Sequence, residues 1–261
     1  MSALLPVEDA LALLLNGAAP LAGEDVPIGK ASGRVLAADI HARRTQPPFD
    51  ASAMDGYAVR AEDIAQVPAT LRVVGESAAG MRFTGSVSPG EAVRIFTGAP
   101  VPVGADVILL QEDARVVGDG TIEALEATAK GRHIRRAGLD FSTGDLILPA
   151  GRVLDATALS FAASANHPTL PVVRKPLVAI LATGSELVEP GSQPDDDQII
   201  ASNNVGVASL VRDAGGRELD LGIIPDDREV LANAVTSALD QGEDIIGTLV
   251  GASVGDHDLV R

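Results

Sequence analysis

The residues best suited to chemistry lie in three short segments where apolar runs break: Ala182-Thr183-Gly184-Ser185-Glu186, Pro225-Asp226-Asp227, and Gly251-Ala252-Ser253-Val254-Gly255-Asp256-His257-Asp258. Each follows a run that reads as a buried parallel strand. In open α/β sheets, ligands bind beyond the carboxyl ends of the strands, where loops and helix N-termini donate backbone N–H groups. Gly251, Ser253 and Gly255 are residues that let a backbone approach an anion, and Thr183, Gly184 and Ser185 stand at an equivalent strand end. Glu186, Asp226, Asp256 and Asp258, with His257, set carboxylates along one edge of the sheet. Hard cations such as magnesium take oxygen ligands of this kind and bridge to substrate phosphates. Asp226 and Asp227 are equally the residue type that caps a following helix, and His257 taken alone is an ordinary surface residue.

Three further segments carry no catalytic signature by themselves. Pro47 to Val59 (PPFDASAMDGYAV) reads as a proline-stiffened entry to a tight turn at Asp55-Gly56. Phe96-Thr97-Gly98-Ala99-Pro100-Val101-Pro102 reads as a strand end breaking into a rigid loop. In Arg132 to Asp140, Arg135 and Arg136 precede Gly138 and Asp140, and guanidinium groups suit bidentate phosphate contacts as well as surface salt bridges. The sequence has no Ser-His-Asp order, Walker loop or dinucleotide fingerprint, so nucleotide hydrolysis by a P-loop route is unsupported.

The elements that must hold these segments follow from periodicity. Leu177-Val178-Ala179-Ile180-Leu181 predicts a buried strand, followed by a helix over 203–214, a strand over 218–224, a helix over 228–239 and a strand over 244–250. This is an α/β unit with right-handed crossovers. The last strand is followed by no covering helix, which implies a fragment of a longer protein or a cover from another chain. Upstream, Val7, Ala10, Leu11 and Leu14 give one face of a helix over 7–15, with Pro6 at its first turn and Gly17 beyond its end. A short helix is expected over 33–38 and another over 156–164. Between Thr70 and Asp140, short β-type runs at 71–74, 92–96, 107–110 and 114–117 alternate with Gly and Pro turns, predicting a small barrel-like or sandwich β-domain. The acidic run Asp195-Asp196-Asp197 reads as a solvated loop.

Composition bounds the function. The 261 residues suffice for two or three domains. Apolar residues make up 46% but aromatics only 2%, so Val, Leu, Ile and Ala must fill the cores. A formal charge of -16 repels nucleic-acid phosphates. The absence of cysteine excludes disulfides, thiolate metal sites and thiol nucleophiles. The N-terminus lacks a basic n-region, and no apolar run reaches the ~20 residues of a membrane span. A soluble cytoplasmic protein is expected.

Taken in order, PPFDASAMDGYAV, FTGAPVP, IRRAGLD, ATGSEL, LGIIPDD and GASVGDHD resemble the signature of the molybdopterin molybdenumtransferase family, which includes bacterial MoeA and the E domain of gephyrin. The resemblance runs from Val7 to Arg261. It implies a multidomain α/β plus β fold: a discontinuous, elongated, dimer-forming domain over 1–45 and 143–175, an inserted β-domain over 46–142, and an incomplete molybdopterin-binding α/β domain with a mainly parallel sheet over 176–261. It further implies a cytoplasmic homodimer that binds adenylylated molybdopterin and molybdate and releases molybdenum cofactor and AMP with the help of magnesium. The molybdopterin adenylyltransferase would be a partner.

Carried over by motif, Asp55, Thr97 and Asp140 would line the family's site from one side, and Glu186, Asp226 and Asp258 from the other, between the β-domain loops of one subunit and the α/β domain of its partner. Glu186, Asp226 and Asp258 would hold the metal. Thr183, Gly184, Ser185, Gly251, Ser253, Gly255, Arg135 and Arg136 would bind substrate, with Thr97 and Ser253 contacting anions.

The sequence departs from the family pattern in places. Val250-Gly251 stands where the family has a Gly pair, and Gly247-Thr248-Leu249 replaces its Val-Thr/Ser-Thr/Ser run. The family's Pro-Gly-Lys-Pro and Gly-Leu-Pro-Gly-Asn-Pro segments do not occur. Three other readings remain: a dimerisation or scaffold module without turnover, a nucleotide-processing enzyme sharing only the α/β unit, and a truncated, inactive fragment with the family fold.

Overall fold

A computed structural model describes residues 5–249. The expectations that fall on Val250, Gly251, Ser253, Gly255, Asp256, His257 and Asp258 lie outside the described residues. The chain divides into two compact units. One runs from the N-terminus to Ala38 and takes in Ala150–Ala156 and the chain from Thr169 onward; the other comprises Asp39–Pro149 and Thr157–Pro168.

The second unit is built on a six-stranded sheet. Its order is Val107–Leu110, Gly56–Val59, Glu91–Ile95, Ala69–Ser77, Thr121–Ala124, Ala114–Gly118. All neighbours are antiparallel except Ala69–Ser77 against Glu91–Ile95. Side chains alternate faces along a strand, and both faces are buried here. Val59, Leu71, Ala92, Val107, Leu109 and Ile122 fill one core, while Ala58, Val93, Ile95 and Ile108 fill another. With few rings available, these β-branched and aliphatic residues supply the packing. The β-runs expected from the sequence appear with small shifts at their ends.

Two expectations upstream are corrected. Residues 33–38 form no helix: Leu36 N–H donates to Arg152 O at 2.9 Å and Leu36 O accepts from Gly151 N–H at 2.8 Å, so cross-chain bridging uses the groups a helix would need. Gly56 is not a turn glycine. It opens the strand Gly56–Val59, and a Cβ there would stand 2.0 Å from Leu109 O, so the absence of a side chain permits close strand approach.

In the first unit, a three-stranded parallel sheet has the order Arg217–Ile224, Leu177–Thr183, Ile245–Leu249. The helix Asn203–Asp213 packs through Ala208 on Val178 and Ile180, and the helix Arg228–Gln241 packs through Leu231 on Leu181 and Ile224. Alternation along the central strand therefore delivers one helix to each face, as a parallel sheet requires. The strand Gly23–Pro27, unmarked by hydrophobic alternation, pairs antiparallel with Thr169–Val173. The helix Val7–Leu15 forms as its spacing predicts, with none of its residues buried. Among the described residues, no helix is long and apolar enough to cross a membrane.

Candidate active site

At the carboxyl end of the central parallel strand, Thr183 and Asn204 help line a cavity of about 380 Å³, bordered also by Glu186, Ile199, Ser202 and Leu249. Thr183 is 5% and Asn204 6% exposed. Among the described residues, the Oγ1 of Thr183 and the Oδ1 of Asn204 are buried without a hydrogen-bond partner. Unpaired buried polar atoms cost about 1–3 kcal/mol each, so two of them in one cavity call for an explanation.

The chain turns at once beyond Thr183. Gly184 has φ +152°, and the Glu186 carboxylate folds so closely against it that a Cβ would meet the carboxylate oxygens at 2.7 and 2.8 Å. The Ser185 N–H donates to Asp226 Oδ2 at 3.4 Å. Glu186 and Asp226 thus both abut the 184–185 turn, and both are exposed. Helix capping falls to the neighbouring Asp227, whose Oδ1 accepts from the N–H groups of Glu229 at 2.8 Å and Val230 at 3.1 Å. That division leaves the Asp226 carboxylate beside the Ser185 N–H and not on the helix. Among the described residues, no group of three or more His, Asp or Glu is placed to hold a metal ion. A pair of carboxylates completed by substrate phosphates is nevertheless a magnesium-type donor set.

The second unit carries the upstream residues. Asp55 Oδ1 accepts from both the N–H of Thr97, at 2.8 Å, and its hydroxyl, at 2.7 Å. The backbone donor, then the hydroxyl, then nearby Arg94 hold the Asp55 carboxyl below the ordinary carboxylate range. Arg94 is fixed in turn: its guanidinium stacks 5.1 Å from the Tyr57 ring centre and 4.9 Å from that of Phe96, and donates to Gly56 O at 3.0 Å. Because Thr97 directs both donors at Asp55, its visible role is to orient that carboxylate.

Arg135 and Asp140 line a separate cavity of about 320 Å³ with Pro47, Phe49 and Gly98, so the segments around 47–50, 98 and 135–140 do converge. Arg136 is committed elsewhere. It donates to Asp50 Oδ2 at 2.5 Å, while Asp50 Oδ1 accepts the Ala137 N–H at 2.9 Å. The Ala137 N–H does most to hold Asp50 below its ordinary range; partial burial works against it and Arg136 adds to it. Sequence reasoning missed Asn204, Arg94 and Asp50. The signal for Asn204 was a polar residue in the first turn of a helix beside the Thr183 strand end.

Two family models match the chain in succession. The family described as "MoeA N-terminal region (domain I and II)" matches residues 5–166, and "Probable molybdopterin binding domain" matches residues 179–261. The chain belongs to the MoeA family. A molybdopterin molybdenumtransferase of Nostoc sp. is 36% identical over 241 residues, which are 91% of this chain and 55% of that protein. One from Haemophilus influenzae is 37% identical over 242 residues, 93% of this chain and 59% of the relative. A crystal structure of the molybdopterin biosynthesis MoeA protein from Pyrococcus horikoshii superposes with a TM-score of 0.85 at 33% identity, over 94% of this chain and 66% of that one. The chain therefore spans somewhat more than half the length of the curated relatives it matches.

Proposed function

We propose that this chain acts in molybdenum cofactor biosynthesis, taking adenylylated molybdopterin and molybdate and releasing molybdenum cofactor and AMP. The observation that carries this reading is the cavity at the carboxyl end of the central strand, with its two unpaired buried polar atoms beside a turn flanked by Glu186 and Asp226. It lies within the stretch matched as a molybdopterin-binding domain.

Glu186 and Asp226 would hold magnesium, which would supply positive charge to offset that of the substrate's phosphoanhydride. Thr183, Gly184 and Ser185 form the floor on which the substrate sits. On the other unit, Asp55, oriented by Thr97, is a further acidic group, and Arg135 and Asp140 are polar groups at a cavity of their own. The protein works as a cytoplasmic homodimer that receives its substrate from a molybdopterin adenylyltransferase, with the three-part division at 1–45 plus 143–175, 46–142 and 176–261.

Calorimetric binding of adenylylated molybdopterin, with and without magnesium and molybdate, tests the reading in the wild type and in Asp55→Ala at matched dimer content. Magnesium-dependent binding weakened by the substitution is expected. A folded dimer that binds nothing would leave a scaffold without turnover.

A further inference from the structure

Asn204 is oriented by a residue outside the cavity. Its Nδ2 donates to Asp220 Oδ1 at 3.1 Å, and the same oxygen accepts the Gly222 N–H at 2.9 Å. A carboxylate at neutral pH offers only acceptors, so it compels the amide to turn its NH2 toward Asp220. The carbonyl Oδ1 is then the atom left without a partner among the described residues. Gly222 has φ +75° and lies at the register shift between Ile180 and Ala182. Asp220 therefore ties a strand irregularity to the setting of one buried amide.

The chemistry offered to a ligand follows. Asn204 Oδ1 is a fixed acceptor and Thr183 Oγ1 either donates or accepts. Ser202, at the N-cap of the helix that begins at Asn203, makes no side-chain cap bond, and the first N–H groups of a helix have no partner within it. Leu249 and Ile199 supply apolar walls. A phosphate has no donor for Asn204, whereas a flat amino-heterocycle brings N–H groups on the same edge as a carbonyl.

We infer that Thr183 and Asn204, with Asp220 fixing the Asn204 amide, read the donor-bearing edge of a flat amino-heterocycle, namely the aminopyrimidinone ring of a pterin. The inference rests on the function proposed above and names which part of the substrate this cavity takes. Asp220 is a positioning residue, acting through Asn204.

Fluorescence titration of the whole chain with pterin, and with lumazine, in which a carbonyl replaces the 2-amino group, provides the test. Wild type should prefer pterin by about tenfold or more, since a site built to accept from an amino group rejects its replacement. In Asp220→Ala, the acceptor that fixes the Asn204 amide is removed. The amide can then present either end to the cavity, and the preference should fall or vanish. Thr183→Val, which leaves the Asp220 bonds intact, should weaken pterin without abolishing the preference, and serves if Asp220→Ala does not fold. Equal binding of the two pteridines by wild type, an unchanged preference in Asp220→Ala, or displacement of pterin by inorganic phosphate or AMP alone would each overturn the inference. Binding of adenylylated molybdopterin without any pterin preference would sink this inference and leave the proposed function standing; pterin preference without that binding would do the opposite.

Discussion

Asp55 and Thr97 are joined twice through one atom, since Asp55 Oδ1 takes both the N–H and the hydroxyl of Thr97. The paired donors fix the carboxylate plane and hold its pKa down, leaving Oδ2 as the oxygen turned away from Thr97. Thr97→Val keeps the N–H and deletes the hydroxyl. The Asp55 carboxyl should then titrate closer to its ordinary value, read from its side-chain carbon resonance. Magnesium-dependent substrate binding should weaken by up to about tenfold as the carboxylate loses its orientation. An unmoved titration would mean that the backbone donor alone sets the carboxylate.

Arg174 and Asp244 make a similar claim about stability. Two parallel bonds, Nη1 to Oδ2 at 2.7 Å and Nη2 to Oδ1 at 2.5 Å, join them, and Leu177 N–H adds a third at 2.9 Å. Arg174, then Leu177, depress the Asp244 pKa against a burial cost. A carboxyl whose folded pKa is depressed contributes stability that is full above its unfolded value of about 3.9 and disappears as pH falls through the lower folded value. Asp244→Asn should cost about 1–2 kcal/mol at pH 7, limited by the partial exposure of Arg174. Urea unfolding should show the two proteins converging in acid. A gap that stays constant with pH would remove the ion pair as its cause.

What the sequence made legible was whatever depends on local pattern. The run from Leu177 and the two amphipathic segments after it specify strand, helix, strand and helix because side-chain periods of 2.0 and 3.6 are written directly into residue order. The strand ends followed, and with them Thr183, Glu186 and Asp226. Long-range pairing was not legible. Val35 and Leu36 meet Val153 and Val172 across more than a hundred residues, so a segment with helical composition is held extended by partners no window could include. Gly56 was misjudged for the same reason: the atom that demands glycine is a carbonyl on another strand. Asn204 escaped notice because its meaning lies in Asp220, the next strand's residue.

Two strand glycines should respond to alanine with opposite signs. At Gly56 the new methyl would stand 2.0 Å from the backbone oxygen of Leu109, which cannot swing aside. Gly56→Ala should lose more than about 3 kcal/mol or fail to fold. At Gly247, where the sequence departs from its family, the nearest atom is Ala179 O at 3.7 Å, an ordinary contact. Gly247→Ala should gain about 0.5–1 kcal/mol by restricting the unfolded chain. Thermal unfolding of the two variants measures both, and a destabilised Gly247→Ala would show that the strand there tolerates no side chain.

Thr183→Val separates stability from binding at the cavity itself. The two side chains have nearly the same shape, valine favours strands, and the hydroxyl being deleted is buried without a partner. Removing an unsatisfied polar group from such a place should stabilise the free protein by about 1 kcal/mol. The same deletion should weaken ligand binding, because the hydroxyl is then missing where the ligand needs it. A variant both more stable and poorer in binding is the signature of a residue retained for function at the expense of folding. If instead unfolding shows Thr183→Val to be less stable than wild type, the hydroxyl is already satisfied by solvent in the free protein, and the ligand must displace that water to bind.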